Sequence, residues 1–248
     1  PAPHPPPGGH RQRQGGEDSA ENEVKTILQP LWCLPGLKHQ EGEDAEQQAP
    51  FAPANPIVFA TGPLAGARVC GSTRVNVLSL SPETTGIFTS QGGGEFGPDI
   101  KRAGFDALVI TGASATPVYL DIRNDRVAFA DAAALWGLDR RQAYDRLSAD
   151  AAGNVSIATI GPAGENKVRH ANIMFEPDHY AGRGGLGAVM GAKNLKAIRI
   201  GGDHPVVFKD AETVKAVNKT GATTFAASFE KNPGGFLGVL KNYGTFGL

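Results

Sequence analysis

The sequence has little of three features that classify many proteins: cysteine, long apolar runs and charge of one sign. Its 248 residues include two cysteines, Cys33 and Cys70, which are far apart and lack a C-x-x-C partner. We therefore predict neither a disulfide framework nor a cysteine metal site. The absence of a long apolar run or apolar leader predicts no membrane span and a cytoplasmic protein. The net charge of −1 means that basic residues are not in excess, whereas nucleic-acid-binding proteins typically carry such an excess.

Prolines and acidic residues are concentrated near the start of the chain. Residues 1–55 hold 9 of the 18 prolines and carry 8 acidic against 4 basic side chains, leaving 17 acidic and 20 basic in 56–248. Residues 1–23 contain almost nothing apolar to bury, so we predict that 1–54 is a disordered or atypical extension. The weak positive balance of the remainder suits a small anionic ligand.

From residue 55 onward, short β-branched and aliphatic runs are bounded by glycine, proline and asparagine. Such runs are typical of strands. We predict nine strands, at 57–60, 74–80, 107–111, 118–122, 126–130, 155–160, 170–175, 196–200 and 205–208. The predicted class is α+β and strand-rich.

Three helices are predicted. The first begins at Pro98, and the second at Asp139, where Gln142 completes a capping box. The third spans 210–231 and is expected to open a helical domain, 209–248, of which the chain holds only the start. Its apolar side would consist of Val214, Val217, Gly221, Phe225 and Phe229.

An internal repeat joins the two halves of the predicted domain, 55–208. The segment 57–76 aligns with 155–172, and each copy continues through a proline, a glycine cluster, a helix and a further strand. The clusters are "GGGEFG" at 92–97 and "GRGGLG" at 182–187. Because the order of features is kept over about fifty positions, duplication is favoured over chance similarity. We expect a pseudo-twofold domain with two glycine-rich cradles for phosphate.

The second cluster also contains a dinucleotide fingerprint, G-x-G-x-x-G, at Gly182, Gly184 and Gly187. We expect no strand before it, because 176–178 breaks the apolar run, and room for only two helical turns after it. Arg183, flanked by glycines, is favoured as a phosphate ligand over a surface ion pair. A nucleotide-binding module remains the alternative. No catalytic residue can be assigned, and no metal-ligand set is recognised.

Polar residues alternate with valines just before the first cluster. Arg74 and Asn76 flank Val75 and precede Val77, so both polar side chains project from one face of a strand. We expect this face to point toward the first glycine cluster.

These motifs lie within five longer stretches: "NPIVFATGPLAG", "RVNVLSLSP", "GGGEFGPDIKRAGFDALVITG", "IGPAGEN" and "AGRGGLGAVMGAKNLKAI". Together, over about residues 55–203, they resemble the amino-terminal domain of the aldehyde ferredoxin oxidoreductase family. This resemblance implies a cytosolic enzyme with a tungsten or molybdenum bis-pyranopterin cofactor, whose two phosphates meet at Mg²⁺. It implies oxidation of an aldehyde with water to a carboxylic acid, with electrons passing through a 4Fe–4S cluster to ferredoxin or another acceptor.

The resemblance also implies which residues bind the cofactor, with Arg74 matching a family arginine between pterin and cluster. The expected set is Arg74, Asn76, Gln91, Gly92, Gly93, Gly94, His179, Tyr180, Ala181, Gly182, Arg183, Gly184 and Gly185. Gln91 stands where the family often has asparagine, and Tyr180 replaces the side chain that usually precedes "AGRGG". The cluster cysteines and the acid and histidine near the metal belong to later domains in the family. We therefore expect no aldehyde oxidation by this part alone; a reductase of aromatic thioesters is the rival within the family, and homodimer formation is left open.

Overall fold

A computed structural model describes residues 25–29, 49–69, 71–151, 153–232 and 234–243. The strands are β1 (Lys25–Gln29), β2 (Ile57–Thr61), β3 (Val75–Leu80), β4 (Ile87–Gly92), β5 (Ala107–Thr111), β6 (Val118–Arg123), β7 (Arg126–Asp131), β8 (Ser156–Thr159), β9 (Ile173–Phe175), β10 (His179–Ala181) and β11 (Leu195–Gly201). The helices are α1 (Phe96–Arg102), α2 (Arg140–Ala149), α3 (Pro162–Glu165), α4 (Leu186–Ala192), α5 (Ala211–Lys231) and α6 (Phe236–Tyr243), with a 3-10 turn at Ala133–Leu135. The predicted α+β, strand-rich class is confirmed.

Two sheets repeat one strand order. The first sheet runs β1-β5-β2-β3-β4 and the second runs β10-β9-β8-β11-β6-β7. The series β5-β2-β3-β4 in the first therefore corresponds to β11-β8-β9-β10 in the second, and all these pairings are antiparallel. Helix α1 follows β4 just as α4 follows β10. This shared topology is what the duplicated sequence predicts.

The core is shared between the repeats. Phe59 from β2, Phe96 from α1 and Phe175 from β9 are fully buried. Their ring centroids lie 5.0 to 6.3 Å apart in tilted or edge-on arrangements. Contacts of this kind add stabilisation to the burial of apolar surface. Since Phe175 comes from the second repeat and the other two from the first, the packing fixes the repeats against each other.

Several elements differ from the prediction. The run at 205–208 is not a strand. Strands β4 and β10 and helices α3 and α6 were not predicted, and the three residues of β10 correct the expectation that no strand precedes Gly182. Strand β1 lies inside the predicted extension and pairs with β5, whereas residues 1–24 and 30–48 lie outside the described residues.

Helix α5 begins one residue later than predicted and ends where predicted, and Asp210 caps it by accepting a hydrogen bond from the Thr213 amide. Its predicted apolar side is not buried within the described part of the chain, because Val217 and Phe225 remain 55% and 48% exposed. The Asn218 amide group donates to the Ala67 carbonyl oxygen. The proposed domain boundary at 208/209 stays a prediction. None of the described helices is long and apolar enough to span a bilayer.

A buried lysine connects the end of α4 to the first sheet. Lys193 is 1% exposed, and its Nζ donates to the carbonyl oxygens of Pro53 at 2.9 Å and Gly112 at 3.0 Å. Burial lowers the pKa of Lys193 from 10.5 to about 8, because removal from water disfavours the charged amine. The native state therefore loses this proton at a lower pH than the unfolded chain does.

This pKa predicts a pH-dependent difference between the wild type and Lys193→Met. As pH rises from about 8 to about 10.5, the unfolded state holds more protons, so the lysine increasingly favours the folded state. We expect the stability difference between the two proteins to change by about 2 kcal/mol in favour of wild type between pH 7.5 and pH 10. Urea unfolding at both pH values measures it, and a constant difference would contradict the assignment.

Candidate functional site

Two glycine loops lie where the sheets meet. The first glycine loop, residues 92–95, connects β4 to α1, and the second glycine loop, residues 182–185, connects β10 to α4. Strands β4 and β10 end their respective sheets and contact each other. The duplicated fold therefore brings together two clusters that are about ninety residues apart in sequence.

The first glycine loop packs against the turn and strand of the other repeat. A Cβ atom on Gly93 would lie 2.5 Å from Cδ2 of the His179 ring. Gly94 has a φ of +85°, and a Cβ atom there would lie 2.6 Å from Oε2 of Glu176. A side chain at either position would displace His179 or Glu176 from the observed contact between repeats, and the positive φ of Gly94 independently favours glycine.

The second glycine loop makes the reciprocal contact. Gly184 has a φ of +74°, and a Cβ atom there would lie 2.4 Å from the Phe88 ring of β4. A Cβ atom on Gly185 would lie 1.8 Å from the Arg169 carbonyl oxygen. Gly182 differs, since nothing lies within 4 Å of its Cβ position. The loop is thus packed at Gly184 and Gly185 and open at Gly182.

Glutamates from the opposite repeat accept hydrogen bonds from both loops. The Glu95 amide donates to Oε1 of Glu176 at 2.8 Å, and the Gly184 amide donates to Oε2 of Glu83 at 3.0 Å. Sequence reasoning missed both glutamates. The signal that could have found them is their neighbouring prolines, Pro82 and Pro177, which occupy equivalent places in the repeat.

Serines of the first repeat hold the second loop further. Ser81 Oγ donates to the Gly184 carbonyl oxygen at 2.7 Å, and Ser90 Oγ accepts from the Arg183 amide at 3.3 Å. Both serines are buried. A buried hydroxyl with a satisfied hydrogen bond fixes its partner, because breaking the bond would leave a polar atom without water.

Polar residues line the approach to the first loop as predicted. Val75 and Val77 are buried while Asn76 is half-buried, which is the expected alternation along β3. Asn76 pairs across the ladder with Gln91, whose Nε2 donates to Asn76 Oδ1 at 2.7 Å. Arg74 directly precedes β3 and is exposed. Asn76 and Gln91 therefore lie together beside the first glycine loop.

Two arginines near the loops keep their charge unneutralised. Within the described ranges, no carboxylate forms an ion pair with Arg74 or Arg183. An open depression of about 250 Å³ lies beside Arg183. Its lining comprises Glu83, Thr84, Phe88, His170, Gly182 and Arg183. An exposed guanidinium beside open glycine backbone is suited to binding an anion with several oxygens.

The side chain of Tyr180 contacts Arg140 of α2. Its hydroxyl donates to the Pro177 carbonyl oxygen at 3.0 Å and accepts from Arg140 Nε at 3.4 Å. The Arg140 guanidinium also lies 5.1 Å from the ring centroid, within the range of a cation–π contact. Ala181 is buried. Of the predicted residues 179–181, His179 places its ring against Gly93 of the first glycine loop.

The chain matches a known protein family over most of its length. The model for the family "Aldehyde ferredoxin oxidoreductase, N-terminal domain" matches residues 37–202, about two thirds of the chain. The chain belongs to this family. The match begins before residue 55, so family sequence includes part of the predicted extension. The aldehyde ferredoxin oxidoreductase relationship is thereby confirmed over both repeats.

Individual relatives are oxidoreductases. The chain is 45% identical over 162 residues to the tungsten-containing aldehyde ferredoxin oxidoreductase of Pyrococcus abyssi, covering 65% of this chain and 27% of that protein. It is 37% identical over 178 residues to the aliphatic sulfonate oxidoreductase, WOR-like subunit, of Pyrococcus furiosus, covering 66% and 28%. The chain thus spans about a quarter of the length of these relatives.

A solved structure shares the fold. The active-site complex BamBC of benzoyl coenzyme A reductase, in complex with 1,5-dienoyl-CoA, matches with a TM-score of 0.66 and 34% sequence identity. The alignment covers 74% of this chain and 27% of that chain. The relatives therefore resemble this chain over the same part of its length, while their names give different substrates.

Proposed function

We propose that the described domain binds the phosphates of a tungsten or molybdenum bis-pyranopterin cofactor between its two glycine loops. The observation that carries this proposal is the reciprocal contact of two equivalent loops across equivalent edge strands. A cofactor with two phosphate-bearing pterins requires two similar anion sites close together. Duplication supplies such a pair, whereas a dinucleotide fold supplies one loop after a parallel strand.

The residues present fit this group. Gly182 is open to solvent, and Arg183 beside it carries an unneutralised guanidinium within the described part of the chain. In the first loop, Gly93 and Gly94 are half-buried against His179 and Glu176, so a phosphate would meet the backbone on the side that these two side chains leave accessible. These positions favour an anionic ligand with two phosphates over a neutral one.

The predicted residues then fall into groups with different binding roles. Arg183 and the loop amides that do not already donate to Glu176, Ser90 and Glu83 would hold the phosphates, with Mg²⁺ between them. Arg74, Asn76 and Gln91 would orient the pterin edges through hydrogen bonds. His179 and Tyr180 would flank the junction of the loops. The metal centre would supply the two-electron redox chemistry, and this domain would supply binding and orientation.

For the whole protein, we propose oxidation of an aldehyde and water to a carboxylic acid, two protons and two electrons. The electrons would pass through a 4Fe–4S cluster to ferredoxin or another acceptor in the cytoplasm. The two cysteines of this chain cannot supply the four ligands of such a cluster. The name of the Pyrococcus abyssi relative supports this reaction over others.

The benzoyl coenzyme A reductase structure supports a second candidate, reduction of an aromatic thioester. Both reactions use the same proposed cofactor site, so this domain does not distinguish them. Assays of the full-length protein with an aldehyde and with an aromatic thioester, each with a dye as electron acceptor or donor, would do so.

Arg183→Ala tests the proposed site. We expect the full-length protein from cells supplied with tungstate and molybdate to retain metal and about two pterins per metal. Loss of a charge-assisted hydrogen bond should lower the occupancy about tenfold at limiting cofactor. Elemental analysis and pterin fluorescence measure the occupancy.

Arg126→Ala is the matched control, because Arg126 is exposed on β7, which lies at the opposite edge of the second sheet from β10. Its occupancy should equal that of wild type. Equal occupancy of Arg183→Ala and wild type, or wild-type protein without metal and pterin, would refute the proposed site. Binding of a nicotinamide dinucleotide in its place would support the nucleotide module.

A further inference from the structure

The two glutamates that contact the glycine loops lie in equivalent turns, and their side chains reach in opposite directions. Glu83 lies in the turn between β3 and β4, and Glu176 lies in the turn between β9 and β10. Each turn precedes the glycine loop of its own repeat, yet each carboxylate accepts from the loop of the other repeat. The contacts therefore cross between the repeats twice.

The Glu176 contact is accompanied by an unusual backbone conformation and by a hydroxyl that lies closer to Asp99, whose Oδ2 accepts from Ser156 Oγ at 2.7 Å. Glu176 has a φ of +58°, a left-handed conformation that is unfavourable for a glutamate. Its Oε1 lies 3.2 Å from Ser156 Oγ, and Ser156 is buried. The strained backbone directs the carboxylate onto Gly94 and the Glu95 amide. Such strain persists only where the surrounding contacts compensate for it.

The Glu83 contact belongs to a similar group of bonds. Glu83 Oε2 accepts from the Gly184 amide, while Ser81 Oγ donates to the Gly184 carbonyl oxygen. Both polar backbone groups of Gly184 are thus bound by the first repeat. Glu83 Oε1 lies 3.2 Å from His170 Nδ1. The second glycine loop is therefore bound through both the amide and the carbonyl oxygen of Gly184, whose backbone is left-handed.

We propose that Glu83 and Glu176 are positioning residues that hold the opposite repeat's glycine loop in shape before the cofactor binds. The inference rests on the proposed function for its purpose, because preformed loops reduce the ordering cost of binding phosphate. The crossed hydrogen bonds themselves do not depend on that function. Each repeat therefore requires the other to form its anion site.

Hydrogen exchange of the purified chain tests the crossed arrangement. Glu176→Ala should accelerate exchange in the first glycine loop about tenfold or more and leave the second loop unchanged. Glu83→Ala should do the reverse. Glu176→Gln and Glu83→Gln, which keep an acceptor oxygen, should restore most of the protection. Glu230→Ala, at an exposed position of α5, is the control and should change neither loop.

Two results would overturn the proposal: faster hydrogen exchange only in the turn that carries the substitution, or equally faster exchange in both glycine loops. The second result would indicate general destabilisation, which does not select the loop of the opposite repeat. Pyrophosphate supplies a second readout by titration calorimetry. Weaker pyrophosphate binding in the alanine variants supports positioning, whereas tighter binding would show that the carboxylates compete with phosphate and would overturn it. If wild type failed to bind pyrophosphate while the crossed exchange pattern held, the proposed function would fail and the positioning role would stand.

Discussion

Gly191→Ala is expected to lower the free energy of unfolding by about 3 kcal/mol or more. Gly191 lies in α4, where its backbone packs against α3. A Cβ atom at this position would lie 1.9 Å from the Gly164 carbonyl oxygen and 2.6 Å from the Gly164 carbonyl carbon. Since both atoms are backbone, no side chain can rotate away, and α3 and α4 must move apart.

A glycine in α5 provides the matched control. Gly221 also lies within a helix, but nothing is within 4 Å of its Cβ position. Alanine favours helix over glycine by about 1 kcal/mol, so Gly221→Ala should be as stable as wild type or more stable. Urea unfolding of both variants measures the difference. Equal stability of the two variants would show that the α3–α4 contact tolerates a methyl group.

The same contact positions the second glycine loop. Gly185 directly precedes α4, and Gly164 of α3 is itself packed so closely that its Cβ atom would lie 2.9 Å from the Gly187 carbonyl oxygen. Displacing α4 would move this loop relative to Ser81 and Glu83, which bind Gly184. Gly191→Ala should therefore perturb the proposed anion site as well as the fold.

Much of the sheet structure was predictable because buried strands have a distinctive composition. The run "ALVIT" was assigned to 107–111, the bounds of β5, and four of its five residues are buried. The capping box of Asp139 and Gln142 was also confirmed. These elements depend on local signals, namely β-branched residues between turn formers and side-chain bonds within one helical turn.

Strands with exposed or very short sequences were not predictable. β4, "IFTSQG", has only two buried residues and no regular alternation of apolar and polar side chains. β10 has three residues, and its pairing with β9 is set by the turn at 176–178. Both are stabilised by the opposite repeat, which contributes contacts across a large sequence separation. Local propensity carries no information about such contacts.

The candidate site was predictable in its loops and not in its hydrogen bonds. The repeat identified both glycine clusters, and alternation placed Asn76 on the exposed face of β3. The Glu83–Gly184 and Glu176–Glu95 bonds join residues 101 and 81 positions apart. Finding them requires the relative placement of the two repeats, which depends on the shared phenylalanine core.

The largest electrostatic effect is expected at the buried pair Lys196–Glu165, where Lys196→Met should lower the free energy of unfolding by about 3–5 kcal/mol. The two side chains are 0% and 5% exposed. Burial lowers the pKa of Lys196, and the hydrogen bond and charge of Glu165 oppose that shift. Removing the lysine would leave the Glu165 carboxylate buried without a counter-charge.

Lys196 and Glu165 also each form a hydrogen bond with a backbone group in the segment that directly precedes α2. Lys196 Nζ donates to the Leu138 carbonyl oxygen at 2.8 Å, and Glu165 Oε2 accepts from the Gly137 amide at 2.9 Å. The double variant Lys196→Met/Glu165→Gln removes both charges and keeps an acceptor for Gly137. It should recover more than half of the stability lost by Lys196→Met, because the uncompensated charge is gone.

The first repeat contains a matched control for this pair. Asp106, which directly precedes β5, pairs with Lys101, and their side chains are 27% and 19% exposed. Because water reaches this pair, Lys101→Met should cost about 1 kcal/mol or less. Urea unfolding at pH 7 compares the variants. A loss at Lys101 as large as that at Lys196, or a double variant no more stable than Lys196→Met, would show that burial of an unpaired carboxylate does not govern the effect.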